Sequence, residues 1–397
     1  MVYGFFWLFL LVGQGVATAI LLSRLGSAPR RIAPLTPVVD SPPLPVSVVI
    51  PTLNEAQRLP RGLEGLRHQA AAEILVVDSR STDGTPAYVQ GLAPTFAPPL
   101  KLLTDDPLPE GWVGRPWALD YGYRHTDPAS TWILGIDADT RPQPGLVAAL
   151  VAAAERENLD VVSLSPQFLL ESPGDQWLQP ALLVTLVYRF GATGDRAQFS
   201  PERVMANGQC FLVRRSVLQA LDGYTLARRS FCDDVTLARA AAQRGFAVGF
   251  LDGAKVLQVR MYESAAETWR EWGRSLDLKD AATPAQTWSD CLFLLAVQGL
   301  PLPVWLTLTL NGTTGAIATP LLYLNGFLVA VRVLLLLALR QSYGPVGLWF
   351  WLSPLADPLA VWRIWLSASR TPKQWRGRVY GERANNPDNT ATKSAAN

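Results

Sequence analysis

Five aspartates and one arginine stand where this chain can do chemistry. Asp78 closes the run EILVVD. Asp137 and Asp139 follow the run TWILGI with one residue between them. Asp233 and Asp234 are adjacent in RRSFCDDVTLARAAAQRG, and Arg115 lies in PEGWVGRPWAL. Residues i and i+2 of an extended chain point to the same side. Two carboxylates so placed can grip a divalent cation, which can in turn hold a diphosphate. An acidic pair at a helix start is either a cap that favours the helix dipole or a general base at the edge of a cleft. A single acid such as Asp78 is either a ligand-binding group or a turn acid, and Asp83 behind it is expected to cap the next helix. The two histidines, His68 and His125, leave little for histidine-based catalysis. The three cysteines, Cys210, Cys232 and Cys291, are odd in number and far apart, which suggests neither a disulfide framework nor a zinc site.

These residues need a scaffold that brings strand ends together. Short apolar runs at 46–51, 73–78, 100–103, 131–137 and 210–213 alternate with helical patterns at 59–68, from 85, at 116–125 and after Asp233. Strands separated by helices predict an α/β domain with a mostly parallel sheet. Such sheets bind ligands beyond the carboxyl ends of their strands, where Asp78, Asp137 and Asp139 fall.

The rest of the chain is unlike a soluble protein. Of 397 residues 49% are hydrophobic and 17% charged, against roughly 25% charged in soluble domains. No charge precedes Arg24, and residues 2–22 can cross a hydrocarbon core of about 30 Å as a helix. We expect a membrane anchor at 1–24, a proline-rich linker at 25–45, a catalytic domain at 46–262, an interfacial amphipathic helix at 263–290, membrane segments at 291–369 and a basic, polar tail at 370–397. Arg24, Arg30 and Arg31 after the anchor predict that the domain faces the cytoplasm. The last part holds three apolar stretches, 291–310, 318–339 and 346–365. Pro354, Asp357, Pro358 and Arg363 burden the third. Four crossings would put the basic tail on the side of the N-terminus, so one of the three is expected not to cross. The apolar stretch 180–187 inside the domain is either a buried core helix or a wall along an acceptor path. The net charge of +2 implies no nucleic-acid partner.

Taken together, Pro51-Thr52-Leu53-Asn54-Glu55, Val77-Asp78 with Ser81-Thr82-Asp83-Gly84-Thr85, Asp137-Ala138-Asp139 and Asp233-Asp234 resemble, in this order, the inverting family 2 glycosyltransferases of GT-A fold. The resemblance spans about 46–279. Residues 109–119 and 375–380 look most like membrane-bound carotenoid glycosyltransferases of bacteria, including the cyanobacterial type acting on myxol. It implies that Pro51, Thr52, Glu55 and Asp78 line a nucleoside pocket, that Asp137 contacts the nucleotide-sugar, and that Asp139 ligates Mg²⁺ or Mn²⁺. Asp234 would be the catalytic base, with Asp233 where glutamate is usual. Arg115 would face the diphosphate where lysine is usual. Ser79 stands where the family often has a second aspartate. The motif Q-x-x-R-W of processive polysaccharide synthases has no match, which favours a single sugar transfer. The implied reaction moves one sugar from a nucleotide-sugar to a hydroxyl of a carotenoid dissolved in the membrane, giving a myxoxanthophyll-type glycoside. Glycosylation of another lipid (hopanoid or glycerolipid) and a catalytically silent membrane scaffold are the alternatives.

Overall fold

The computed structural model describes residues 2–26, 31–195, 200–272, 276 and 278–369, together with the short strands Gln374–Trp375 and Arg378–Val379. The chain opens with helix α1 (Val2–Leu25) and enters the domain at β1 (Val46–Thr52). Then come α2 (Leu59–Leu66), β2 (Glu73–Asp78), α3 (Thr85–Leu92), β3 (Leu100–Thr104), α4 (Gly114–Arg124) and β4 (Trp132–Ile136). The second half holds β5 (Thr140–Pro142), α5 (Leu146–Arg156), β6 (Val161–Ser165), β7 (Gln167–Phe168) and α6 (Pro173–Phe190). It ends with β8 (Cys210–Arg214), α7 (Arg215–Leu221), α8 (Asp233–Gln243), β9 (Val248–Asp252) and β10 (Leu257–Val259).

Seven strands form one sheet in the order β3-β2-β1-β4-β8-β6-β9, and β5, β10 and β7 form a small second sheet. The expected α/β, mostly parallel architecture is present. β1 pairs in parallel with β2 and β4, and β8 alone runs antiparallel, between β4 and β6. The apolar runs make central strands because both faces are covered. Val48, Ile74 and Leu134 pack on one side, and Val49, Val77 and Ile133 on the other. Burying each such side chain is worth about 1.5–3 kcal/mol. The antiparallel strand matters for the site. β8 starts where β4 ends, so Asp137 N donates to Gln209 O at 3.2 Å and residues 207–209 lie beside the acids after β4.

Beyond the domain come α9 (Ala265–Glu267), α10 (Pro284–Leu294), α11 (Pro301–Leu310), α12 (Ala318–Leu339), α13 (Leu348–Trp351) and α14 (Asp357–Ala368). Among the described residues three helical stretches are long and apolar enough to cross a membrane: Phe5–Leu25, Pro284–Leu310 and Ala318–Ser342. The third C-terminal stretch breaks into α13, a turn at Ser353–Ala356 and α14. The 12 residues of α14 extend about 18 Å at the helical rise, short of a bilayer core. Pro354 and Pro358 lack the N–H a continuous helix would need there, and Asp357 is drawn inward to Arg332. The stretch 263–290 is not the single helix expected. It comprises α9, a wide turn at Thr268–Trp272, a 3₁₀ turn at Lys279–Ala281 and the start of α10. Leu278 at φ 55° and Pro284 at the start of α10 interrupt it. Residues 273–275 and the tail charges Arg370, Lys373 and Arg376 lie outside the described residues, as do Gly377 and Tyr380 of the 375–380 motif.

Polar side chains tie the apolar helices together. Gln14 on α1 and Asn325 on α12 exchange amide hydrogen bonds at 3.0 and 2.9 Å, and neither is exposed. Arg332 on α12 donates to Asp357 at 2.8 Å, and Gln298 donates to the other oxygen of that carboxylate at 3.1 Å. Helix α6 packs on the same bundle. Ala181, Leu182 and Val184 are buried in its core, which makes 180–187 a core helix.

Candidate active site

Arg115 is the hub of the acidic cluster. It sits in the first turn of α4, where the glycine–tryptophan stretch turns into helix. Nε and Nη2 donate to Asp137 Oδ1 at 3.0 and 2.9 Å, Nη1 donates to Asp233 Oδ2, and Nη2 also donates to Gly208 O at 2.7 Å. The peptide N–H of Gly208 in turn donates to Asp234 Oδ2 at 2.5 Å, and Val235 N donates to Asp234 Oδ1 at 2.8 Å. The end of β4, the start of α4, the approach to β8 and the first turn of α8 are thereby joined through one guanidinium and one peptide.

The electrostatics follow from that burial. Burial pushes the Asp233 carboxyl up to about 7, with Arg115 opposing and Asp234 and Asp137 adding to the rise. Burial also pushes Asp234 up, against Arg115 and the two peptide N–H groups. Burial would lower Arg115, but Asp137, Asp233 and Asp234 outweigh it and hold the guanidinium charged. At Asp139 burial and then Asp137 push the carboxyl up to about 7, and its Oδ1 is buried without a hydrogen-bond partner. That orphaned oxygen beside a second carboxylate suits a divalent cation. No group of three or more His, Cys, Asp or Glu side chains converges among the described residues. A cation there would take its further ligands from donor phosphate or water.

The cluster borders a cavity of about 1640 Å³. Arg115, Asp137, Asp139, Asp233 and Asp234 all border it. Its lining also includes Leu183, Leu186 and Val187 of α6, Trp269 and Trp272 with Arg270 and Glu271 between them, and Leu335 and Leu339 of α12. The stretch 180–187 thus serves as core on one face and as cavity wall on the other.

The other expected residues lie at the same end of the sheet but do not border this cavity. Thr52 and Asp78 are paired in register, and Thr52 Oγ1 donates to Asp78 Oδ1 at 3.2 Å. Asp78 Oδ2 accepts from Ser81 N at 2.9 Å, so Asp78 shapes the turn after β2. Pro51 sits one position before Thr52, and buried Glu55 lies 3.8 Å from Arg58. Asp83 accepts from Thr85 N at 3.1 Å and from Ala56 N at 2.9 Å, bridging the start of α3 to the loop after β1. A carboxylate also stands next to Ser79, supplied from beyond the next strand: Ser79 Oγ donates to Asp105 Oδ2 at 2.8 Å. Sequence reasoning missed Arg58 and Asn54, which border the cavity, and the bridging peptide of Gly208. The left-handed backbone at Asn54 (φ 57°) is a signal the PTLNE stretch carries, since asparagine tolerates it.

Gly208 has no room for a side chain. An added Cβ would lie 2.5 Å from Arg115 Nη2 and 3.0 Å from its Cζ. That guanidinium is held by three partners and cannot swing aside freely. Gly208→Ala is therefore expected to lower donor affinity about tenfold, from overpacking of order 1–3 kcal/mol. Donor titration of the two proteins checks it, and an unchanged affinity would contradict this role for Arg115.

A mostly parallel sheet with acids gathered at the carboxyl ends of its strands defines an α/β domain, joined to helices long and apolar enough to cross a membrane. Residues 47–222 match the family described as Glycosyl transferase family 2, and the chain carries a domain of that family. A 4,4'-diaponeurosporenoate glycosyltransferase of Staphylococcus haemolyticus is 23% identical over 246 residues, which cover 60% of this chain and 62% of that protein. Among solved structures, a mannosyltransferase of Pyrobaculum calidifontis in complex with GDP-Man and Mn²⁺ is 19% identical, covering 90% of this chain and 98% of that one with a TM-score of 0.47. Glucosyl-3-phosphoglycerate synthase of Mycobacterium tuberculosis is 20% identical, covering 55% and 72% with a TM-score of 0.37.

Proposed function

We propose that this chain transfers a single sugar from a nucleotide-sugar to a hydroxyl of a carotenoid dissolved in the membrane, with inversion and with Asp234 as general base. One observation carries the reading. Asp234 borders a cavity lined both by the Asp137–Asp139 pair and by apolar side chains of α6 and α12. The acids suit a charged donor, and the apolar side chains suit an apolar acceptor. The name of the Staphylococcus haemolyticus relative supports a carotenoid among such acceptors.

In this reading Asp234 accepts the proton of the acceptor hydroxyl. The oxygen attacks the anomeric carbon as the bond to the diphosphate breaks, and the diphosphate leaves with the electron pair. A carboxylate pushed up by burial is a stronger base than an ordinary one. The two peptide N–H groups fix its orientation, and Arg115 sets the spacing between Asp137 and the base. Asp139, with Asp137 beside it, would hold Mg²⁺ or Mn²⁺; such an ion neutralises the departing diphosphate. Pro51, Thr52, Glu55 and Asp78 would hold the nucleoside beyond the strand ends. With three crossings the domain and the basic tail fall on one side, which we assign to the cytoplasm from Arg24, Arg30 and Arg31.

The test uses detergent-solubilised protein, Mg²⁺ or Mn²⁺, and a panel of UDP-, GDP- and dTDP-sugars with a hydroxylated carotenoid or a neutral lipid. The expected result is one added sugar on the carotenoid. Asp139→Asn should raise the metal concentration needed by more than the 10–100-fold that losing an outer partner costs. Transfer only to the neutral lipid would replace the acceptor. No nucleotide release from any donor would sink the enzyme reading and favour a silent scaffold.

A further inference from the structure

A donor diphosphate needs a cation that is free to meet it, and Arg115 is already engaged by Asp137, Asp233 and Gly208 O. Among the described residues Arg31, Arg58, Arg270 and Arg363 also border the cavity. Arg31 lies in the stretch before β1. Arg270 belongs to the turn at Thr268–Trp272, and Arg363 donates to Trp269 O in that turn at 2.7 Å. Arg58 instead faces the acids. Burial and then Asp137 push the Asp139 carboxyl up, and among the arginines opposing that rise Arg58 acts more strongly than Arg115.

The position of Arg58 follows from the loop after β1. Arg58 N donates to Glu55 O at 3.0 Å, and α2 begins at the next residue, so its backbone is fixed. Its side chain is 37% exposed and stands between two carboxylates. Nη1 lies 3.8 Å from Glu55 Oε2, and Nη2 lies 3.7 Å from Glu267 Oε1 on α9. Both distances exceed a hydrogen bond, and among the described residues the Arg58 guanidinium makes none. Glu267 is held elsewhere by its other oxygen, which accepts from Glu263 N at 2.9 Å. Ion pairs this loose and this exposed contribute little. A phosphate offers a guanidinium two oxygens at hydrogen-bond distance, a stronger and better-directed contact.

Resting on the nucleotide-sugar reading of this cavity, we infer that Arg58 receives the diphosphate of the donor and that Glu267 is the counter-ion this diphosphate displaces. Glu267 is then a built-in competitor for the donor. It stands directly before the turn whose Trp269 and Trp272 line the same cavity, so donor arrival frees a carboxylate beside the apolar lining.

The experiment measures binding of UDP, GDP and dTDP to the full chain in detergent with Mn²⁺, by calorimetry, without an acceptor and without turnover. Arg58→Gln should weaken the diphosphate that binds best about tenfold, as for loss of a hydrogen bond to a charged group. Arg58→Lys should recover part of that loss, since the ammonium keeps the charge without the fork. Glu267→Gln should bind the same nucleotide more tightly, by up to about fivefold, the range of an exposed ion pair. The glutamine keeps an oxygen for Glu263 N, and a gain in affinity cannot come from a poorly folded variant. In the double variant the gain from Glu267→Gln should vanish. Wild-type affinity in Arg58→Gln overturns the proposal, as does a Glu267→Gln gain that survives in the Arg58→Gln background. Failure of all three diphosphates to bind the wild-type chain overturns the nucleotide-sugar reading itself, and this inference with it.

Discussion

Asp234→Asn is expected to lower turnover about 10²–10⁴-fold, the range that a positioned general base supplies, with a smaller change in donor affinity: the amide keeps the shape of the carboxylate but accepts only one of its two peptide N–H bonds. The structure separates this residue from its neighbour. Both border the cavity, but Asp233 is committed to the Arg115 ion pair, whereas Asp234 is held by two peptide N–H groups. Asp233→Asn should therefore act mainly by loosening Arg115, raising KM more than it lowers kcat. Initial rates and donor titrations on both variants check this. Equal turnover in Asp234→Asn and wild type, or a deeper loss of kcat in Asp233→Asn, would move the base to another residue.

The second large effect concerns stability. Arg115→Ala leaves Asp137, Asp233 and Asp234 facing one another in a buried setting without their cation. Removing one partner of a buried ion pair costs about 3–5 kcal/mol. The pH dependence has a definite sign. Without the guanidinium Asp233 and Asp234 are pushed further above the ordinary carboxylate range, so the folded state binds more protons than the unfolded state. Stability then falls as pH rises. Asp233, already up to about 7 with Arg115 present, sets the lower edge of the window. The deficit of the variant should be largest at about pH 8 and shrink toward about pH 5. Unfolding midpoints across that range test it, and a deficit that grows on acidification would mean Arg115 does not hold these acids charged. Arg115→Lys should recover part of the loss, because one ammonium keeps the charge but cannot reach Asp137, Asp233 and Gly208 O together.

The strands that carry these acids were legible because each is a short, continuous apolar run ending in a polar turn. The runs at 46–51, 73–78 and 131–137 correspond to β1, β2 and β4 within a residue or so. The helix after Asp233 was legible from Leu237, Ala241 and the terminating Gly245. The role of Arg115 was not, since its bond to Asp233 spans 118 positions in the chain. Nor was the antiparallel course of β8, because an apolar strand reads the same in both directions. The break in the third C-terminal stretch followed from Pro354, Asp357 and Pro358, yet the partner that draws Asp357 inward lies on α12. The α6 part of the cavity lining was one of the two readings open for 180–187, whereas the parts from α12 and the turn near Trp272 come from distant stretches of the chain.

The paired polar groups within the apolar helices bear on how the chain is made. Arg332 at the middle of α12 is unfavourable for membrane insertion by about 2.5–3.5 kcal/mol when alone. Asn325, two turns earlier on the same face, meets Gln14, which has already left the ribosome. Asp357, the partner of Arg332, emerges later and on a segment too short to cross. Synthesis therefore delivers α12 before its charge is neutralised, with α1 waiting to receive it. The N-terminal helix is thus a docking template for a later insertion step, and a generic hydrophobic segment in its place would anchor the chain without guiding its assembly.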